Sequence, residues 1–190
     1  VNSSYNSNVE SNLEQRQGGL FSGIAWLRDL ALSAVFAILL IVFLYQPVKV
    51  EGTSMMPSLT NEERIFINKF TYKIGSGKID RGDTVVFLFP EDKSKSYIKR
   101  VIGVPGDRIQ IDEGRVIVNG AALDEPYVPE DYRDRMSKEE RVVPKDCYFV
   151  MGDHRNSSND SRAWGYVPKN LIYGKAEFVY WPLDKIGRVR

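Results

Sequence analysis

Three short stretches of the chain hold side chains able to do chemistry. Gly52-Thr-Ser-Met-Met-Pro-Ser-Leu59 carries a hydroxyl, Ser54, on a segment too rich in Gly, Pro and Ser to be a helix. Ser96 to Val104 carries two adjacent basic residues, Lys99 and Arg100, in a strand-like run. Gly152 to Gly165 packs Asp153, His154, Arg155, Ser158, Asp160 and Arg162 into one polar loop closed by Trp164. A serine hydroxyl is a poor nucleophile until a neighbour takes its proton. The partners available in principle are His154, a carboxylate, or a lysine held neutral. With one histidine and one cysteine, Cys147, in 190 residues, an intrachain disulfide is excluded and a Cys/His metal site lacks ligands.

Lys99 is the lysine that fits the task. On a strand it shares a face with Tyr97 and Val101, while Arg100 lies between Ile98 and Ile102 on the other. Alternation does not say which basic residue points inward, but arginine stays charged near neutral pH and does not act as a base. A lysine in water is neutral in roughly one molecule in a few thousand at pH 7. Burial among apolar groups, which Met55 and Met56 would help supply, lowers a lysine pKa by up to about 3–5 units. From this stretch alone a solvated strand lysine is the plainer alternative. The 152–165 loop is likewise either a flexible surface loop or an ordered network, and Trp164 favours the second because a large aromatic pins a loop to a core.

The elements that must position these groups are mostly strands. Period-two or β-rich runs occur around Val48–Val50, 64–69, 84–89, 97–104, 109–111, 116–118, 148–151 and 176–181. Pro105 and Gly106 fit the centre of a type II turn, and Asp112-Glu113-Gly114 fits a hairpin loop. Arg81-Gly82-Asp83 reads as a turn opening a strand. The fold class is therefore all-β, residues 47–190, with the charge-rich, weakly periodic residues 121–145 as an insertion or extended loop. Residues 1–23 are polar and are expected to form a disordered tail. Residues 24–46 are expected to form an uncleaved transmembrane anchor: Leu30 to Tyr45 is uninterrupted and would make a helix about 24 Å long, with Trp26, Leu27 and a snorkelling Arg28 extending it. A buried core helix and a cleaved signal peptide are the alternatives. The near-balanced charge, formally +1, gives no basic field for nucleic acid.

Taken in order, the 52–59 stretch, Arg81-Gly-Asp-Thr-Val-Val-Phe87, Tyr97 to Asp107 and the 152–165 loop, behind an N-terminal apolar run, resemble the motif set of type I signal peptidases. These are membrane-anchored Ser–Lys serine proteases. The resemblance covers roughly residues 25 to 181 and is closest to the compact bacterial forms. It implies an antiparallel sheet or partly closed barrel. It implies Ser54 as nucleophile, Lys99 as general base, and Ser158 as the hydroxyl that orients the amine. Asp160 and Arg162 would form a structural ion pair, with Asp153 and Arg155 supporting the loop. The Ser54 N–H would be one oxyanion donor. Gly52 stands where many members have a serine that supplies a second, so that donor is open. Ser58, His154 and Ser157 also depart from the usual pattern, and the family fills position 154 without histidine, which disfavours a triad.

The resemblance further implies an endopeptidase that cuts signal peptides from exported preproteins after small-x-small sequences. The substrate would emerge from the translocation machinery and bind by strand addition. Val48, Val50, Gly52, Met55, Leu59, Tyr97 and Ile98 would contribute to its binding site. No cofactor or metal is expected. The expected partners are preproteins and the lipid bilayer. The expected location is a bacterial plasma membrane, single-pass with the β-domain outside, or a thylakoid membrane. The rival functions are a tethered β-domain that only binds, and a Ser–Lys protease with one dedicated substrate.

Overall fold

The computed structural model describes residues 26–39, 45–69 and 77–189. Two compact units divide between residues 43 and 44. The first contains a helix over 26–39 whose apolar side chains are exposed, Trp26 and Phe36 at 65% and 64%. Among the described residues no helix is long and apolar enough to cross a membrane. The expected tail at 1–23 lies outside the described residues, as does part of the expected anchor. The anchor's far end needs correction. Tyr45 and Gln46 are not helical but open strand β1 (Tyr45–Lys49). The reason is a partner: β1 lies antiparallel to β2 (Arg64–Asn68), with Tyr45 opposite Asn68 and Val48 opposite Ile65. Pro47 fits there because β1 is an end strand of its sheet, where a missing N–H costs no ladder bond.

The second unit is built of antiparallel sheets. The larger has eight strands, in the order β1, β2, β11 (Ile172–Trp181), β3 (Thr84–Phe89), β4 (Asp92–Gly103), β9 (Cys147–Met151) and β10 (Val167–Pro168), with β12 (Gly187–Arg188) beside β11. The path has two free ends, and among the described residues no pairing closes it into a barrel. A second sheet of four runs β7 (Ala121–Ala122), β6 (Arg115–Val118), β5 (Arg108–Asp112) and β8 (Lys138–Val142). Residues 121–145, expected as an insertion or extended loop, thus contain β7 and β8.

Alternation explains the layering. In β2, Ile65 and Ile67 are fully buried while Arg64 is exposed. They pack with Val50, Met55, Leu59 and Val86 on one side of the large sheet. Val85 and Phe87 of β3 turn the opposite way, into a cluster with Val101, Val150 and Val167. Burying both faces of β3 makes it a near-continuous apolar run, TVVFLF. A third cluster, with Ile102, Ile109, Val116 and Met151, joins the inner ends of β4 and β9 to the small sheet.

The turns hold these strands in register. Gly106 has φ +89° and the Asp107 N–H donates to Val104 O at 3.0 Å, the geometry of a type II turn. Glu113 and Gly114 both have positive φ, as a two-residue type I′ hairpin requires between β5 and β6. The Arg81-Gly82-Asp83 stretch is a turn leading into β3.

Candidate active site

The loop carrying Ser54 is closed at its neck by two backbone bonds, Val50 N–H to Glu63 O at 2.7 Å and Glu62 N–H to Val50 O at 2.9 Å. Gly52 adopts φ +94°, which a side chain would strain, and its N–H donates to Asn61 Oδ1. Met55 and Leu59, exposed by 1% and 0%, anchor the loop in the core beneath. Ser54 lies between the glycine turn and the methionine anchor, and is left half-buried at the surface.

Lys99 reaches this hydroxyl across 45 residues of sequence. Its Nζ lies 2.7 Å from Ser54 Oγ and 3.0 Å from Ile98 O, and Lys99 is 4% exposed. The ladder between β4 and β9 begins at the Arg100–Met151 pair, one residue past Lys99. Burial is the main cause that pushes the amine's pKa down to about 8; Asp160 and Asp153 oppose it, and Arg162 assists. Both hydrogen-bonding partners of the amine are neutral, and the Tyr97 ring lies beneath it at 5.4 Å, so no carboxylate bonds the amine directly.

Lys99 and Arg100 are both buried, which removes the choice that alternation left open. Arg100 donates to both carboxylate oxygens of Asp153, at 2.9 and 2.7 Å, and to Gly82 O, and its NH2 group reaches Ser58 Oγ at 3.3 Å. Asp153, expected to support its own loop, therefore ties that loop to β4. Arg155 pairs instead with Glu125, and Arg162 with Asp160 and Asp134. Asp160 also accepts the Gly152 N–H at 3.0 Å and caps the single helical turn Ser161–Trp164. Glu125, Asp134 and Tyr132 were not singled out in the sequence. Their charge-rich surroundings look solvated, and only long-range pairing reveals them.

Ser158 Oγ is buried and has no hydrogen-bond partner among the described residues. It stands against Gly152, where an added Cβ would collide with Ser158 Oγ and with Ser54 O. Ser158 is thus beside the nucleophile's backbone but not bonded to Lys99. His154 does not touch Ser54 Oγ as a triad base would. Its ring Nδ1 is 3.2 Å from Thr53 O, and its backbone N–H donates to Ser54 O at 3.1 Å.

A cleft of about 520 Å³ opens at Ser54 and Lys99. Val48, Val50, Tyr97 and Ile98 line it, together with Ile65, Val86, Asn159 and Tyr173, which sequence reading did not name. Met55, Leu59 and Gly52, expected at the binding site, are not among its lining residues; Met55 and Leu59 pack behind it against Val50, Ile65 and Val86. Among the described residues β1 is an end strand and β4 pairs with β9 only from Arg100 onward, so both walls present strand edges to the cleft. No group of three or more His, Cys, Asp or Glu side chains placed to hold a metal ion occurs among the described residues.

A hydroxyl in contact with a desolvated amine, at the end of a cleft walled by strand edges, suits nucleophilic attack on an extended chain. Comparison with known proteins gives the family. The family described as "Signal peptidase, peptidase S26" matches residues 23–181. Signal peptidase I P of Bacillus subtilis subsp. natto is 41% identical over 176 residues, covering 88% of this chain and 94% of that protein. Signal peptidase I of Bacillus licheniformis is 34% identical over 189 residues, covering 95% and 98%. A crystal structure of a signal peptidase I from Enterococcus faecalis is similar with a TM-score of 0.45 and 29% identity, covering 52% of this chain and 96% of that one. The chain belongs to the signal peptidase family, peptidase S26, and is a serine endopeptidase.

Proposed function

We propose that the protein removes N-terminal signal peptides from exported preproteins by a Ser54–Lys99 dyad. The observation that carries this reading is the 2.7 Å contact between Lys99 Nζ and Ser54 Oγ, made by an amine whose pKa burial has brought to about 8. An amine of that pKa is neutral in roughly one molecule in ten at pH 7, some hundreds of times more often than free lysine.

The preprotein lies extended in the cleft, paired with the free edges of β1 and β4, so that alternate side chains enter the apolar pockets. Small residues at the first and third positions before the cut fit these shallow pockets. The neutral Lys99 amine accepts the Ser54 hydroxyl proton as Oγ bonds to the scissile carbonyl carbon. The carbonyl oxygen becomes an oxyanion that accepts from the Ser54 N–H. Lys99 then delivers its proton to the leaving nitrogen, the C–N bond breaks, and an ester on Ser54 remains. Water attacks the ester, giving a proton to Lys99. The C–O bond to Oγ breaks and Oγ recovers its proton. Asp153, Asp160 and Arg162 hold the surrounding loop, and Ser158 packs beside the Ser54 carbonyl.

The apolar run beginning near residue 24 tethers the domain to a bacterial plasma membrane, facing the translocated side. The exposed apolar side chains of helix 26–39 support this, since such a helix needs apolar surroundings. Retention in the membrane fraction after high-pH extraction is the expected outcome; release into the soluble fraction contradicts it.

The test of the reaction is preprotein cleavage by wild type, Ser54→Ala and Lys99→Met, with circular dichroism to show retained folding. Each variant is expected to lose cleavage by at least about 10³-fold. Wild-type turnover in either, with the fold intact, rules the dyad out.

A further inference from the structure

His154 is the only histidine in the chain, and it grips the nucleophile's backbone twice. Its own N–H donates to Ser54 O, a bond any residue but proline makes. Its ring makes a second that needs the side chain, Nδ1 to Thr53 O at 3.2 Å. A carbonyl oxygen only accepts, so Nδ1 carries the proton and the ring is the Nδ1–H tautomer or the doubly protonated form.

Thr53 C=O and Ser54 N–H belong to one peptide group. That group is planar and trans, so its N–H points opposite to its C=O. Holding Thr53 O therefore aims the Ser54 N–H. A hydrogen bond accepted at the oxygen of an amide also polarises the same amide's N–H, making it a stronger donor. Gly52 has no side-chain hydroxyl to share the load. We propose that His154 is a positioning residue for oxyanion stabilisation: through its Nδ1–H bond to Thr53 O it orients and polarises the Ser54 N–H. The inference rests on the Ser–Lys reading above.

The ring is itself held. Tyr132 packs on it with centroids 4.2 Å apart. Tyr132 lies on a short 3-10 turn, Glu130–Tyr132, and Asn156 Nδ2 ties the neighbouring Asp131 O to the His154 loop at 2.9 Å. The charge-rich segment around residue 131 is thus a strap that sets the imidazole's orientation.

The test uses the full chain in detergent with a preprotein substrate. His154→Ala is expected to lower kcat about tenfold with KM unchanged, since the donor is weakened and misaimed rather than removed, and acts only on transition-state charge. His154→Asn places an amide N–H where Nδ1 lay and is expected to restore most of the rate. His154→Gln places it at the Nε2 position and is expected to behave as the alanine variant. Unimpaired kcat in His154→Ala, a loss confined to KM, or equal rates for the Asn and Gln variants overturns the inference. Ser54→Ala separates the two levels. If that variant still cleaves, the Ser–Lys reading and this inference fall together. If it is inactive while His154→Ala is unimpaired, the inference falls alone. Ring nitrogen NMR on histidine-labelled wild type needs no variant to fold: one ring gives one pair of signals. A protonated Nδ1 is expected, and an unprotonated Nδ1 overturns the inference.

Discussion

Arg100 takes the carboxylate that would otherwise spoil Lys99. The two are neighbours in β4 and both are buried, but Arg100 binds both oxygens of Asp153 while Lys99 Nζ hydrogen-bonds to a hydroxyl and a backbone carbonyl and lies 5.4 Å from the Tyr97 ring centroid. A bidentate guanidinium answers most of the Asp153 charge locally. Arg162 does the same for Asp160. The remaining pull of these carboxylates on Lys99 is smaller than the cost of burying its charge, and the amine's pKa falls.

Replacing Arg100 should therefore act on Lys99 at a distance. Arg100→Met leaves Asp153 uncompensated beside the site. Its charge then favours the protonated amine, and the rising limb of the pH–rate profile should move to higher pH. Breaking the buried pair should also cost about 3–5 kcal/mol of stability. The pH dependence of cleavage, measured below the variant's melting temperature, checks the shift; an unmoved limb contradicts it.

Lys99 itself should be a stability cost at neutral pH. Its folded pKa, about 8, lies below the ordinary lysine value of 10.5. Between those two values the unfolded chain binds more protons than the folded one, so stability rises with pH across that window. Below pH 8 the full cost of burying the charge is present. Lys99→Met should thus be more stable than wild type at pH 7, by up to about 3 kcal/mol, with the advantage shrinking toward pH 10. Denaturant unfolding at the two pH values measures it. A variant less stable than wild type at pH 7 contradicts the assignment of burial as the dominant cause.

The cleft walls should set substrate choice. Val86 and Ile98 line it from neighbouring strands, β3 and β4, where they stand directly opposite each other. Ile98→Ala should deepen the pocket and raise cleavage of a preprotein with a bulkier residue before the cut, by roughly 10-fold relative to the alanine-bearing substrate. Competing the two preproteins in one reaction reads the ratio directly, and an unchanged ratio removes Ile98 from the pocket.

Some of this was legible in the sequence and some was not. β2, β3, β5 and β6 announced themselves because one or both faces are buried, so their residue types follow a period or an apolar run. β8, KEERV, has every residue exposed and is an edge strand, so nothing in its composition separates it from a loop. The outer half of β4, DKSKS, is silent for the same reason. The helix reading ran too far because Tyr45 looks equally at home at a membrane interface and in a strand, and only its pairing with Asn68 decides. Ser54 and Lys99 drew attention by residue type and by the order of motifs around them. The buried pairs Arg100–Asp153 and Arg155–Glu125 join residues 53 and 30 positions apart, and such pairings leave no local trace.

The central claim is that Lys99 works as a neutral amine on Ser54. The measurement that tests it most directly is the single-turnover rate of preprotein cleavage as a function of pH, in wild type and in Lys99→Met. The expected result is a rate that climbs with pH to a plateau, half-maximal near the amine's pKa of about 8, and no such limb in the variant, whose rate is at background throughout. A limb centred near the ordinary lysine value, or a variant that keeps the wild-type profile, would contradict it.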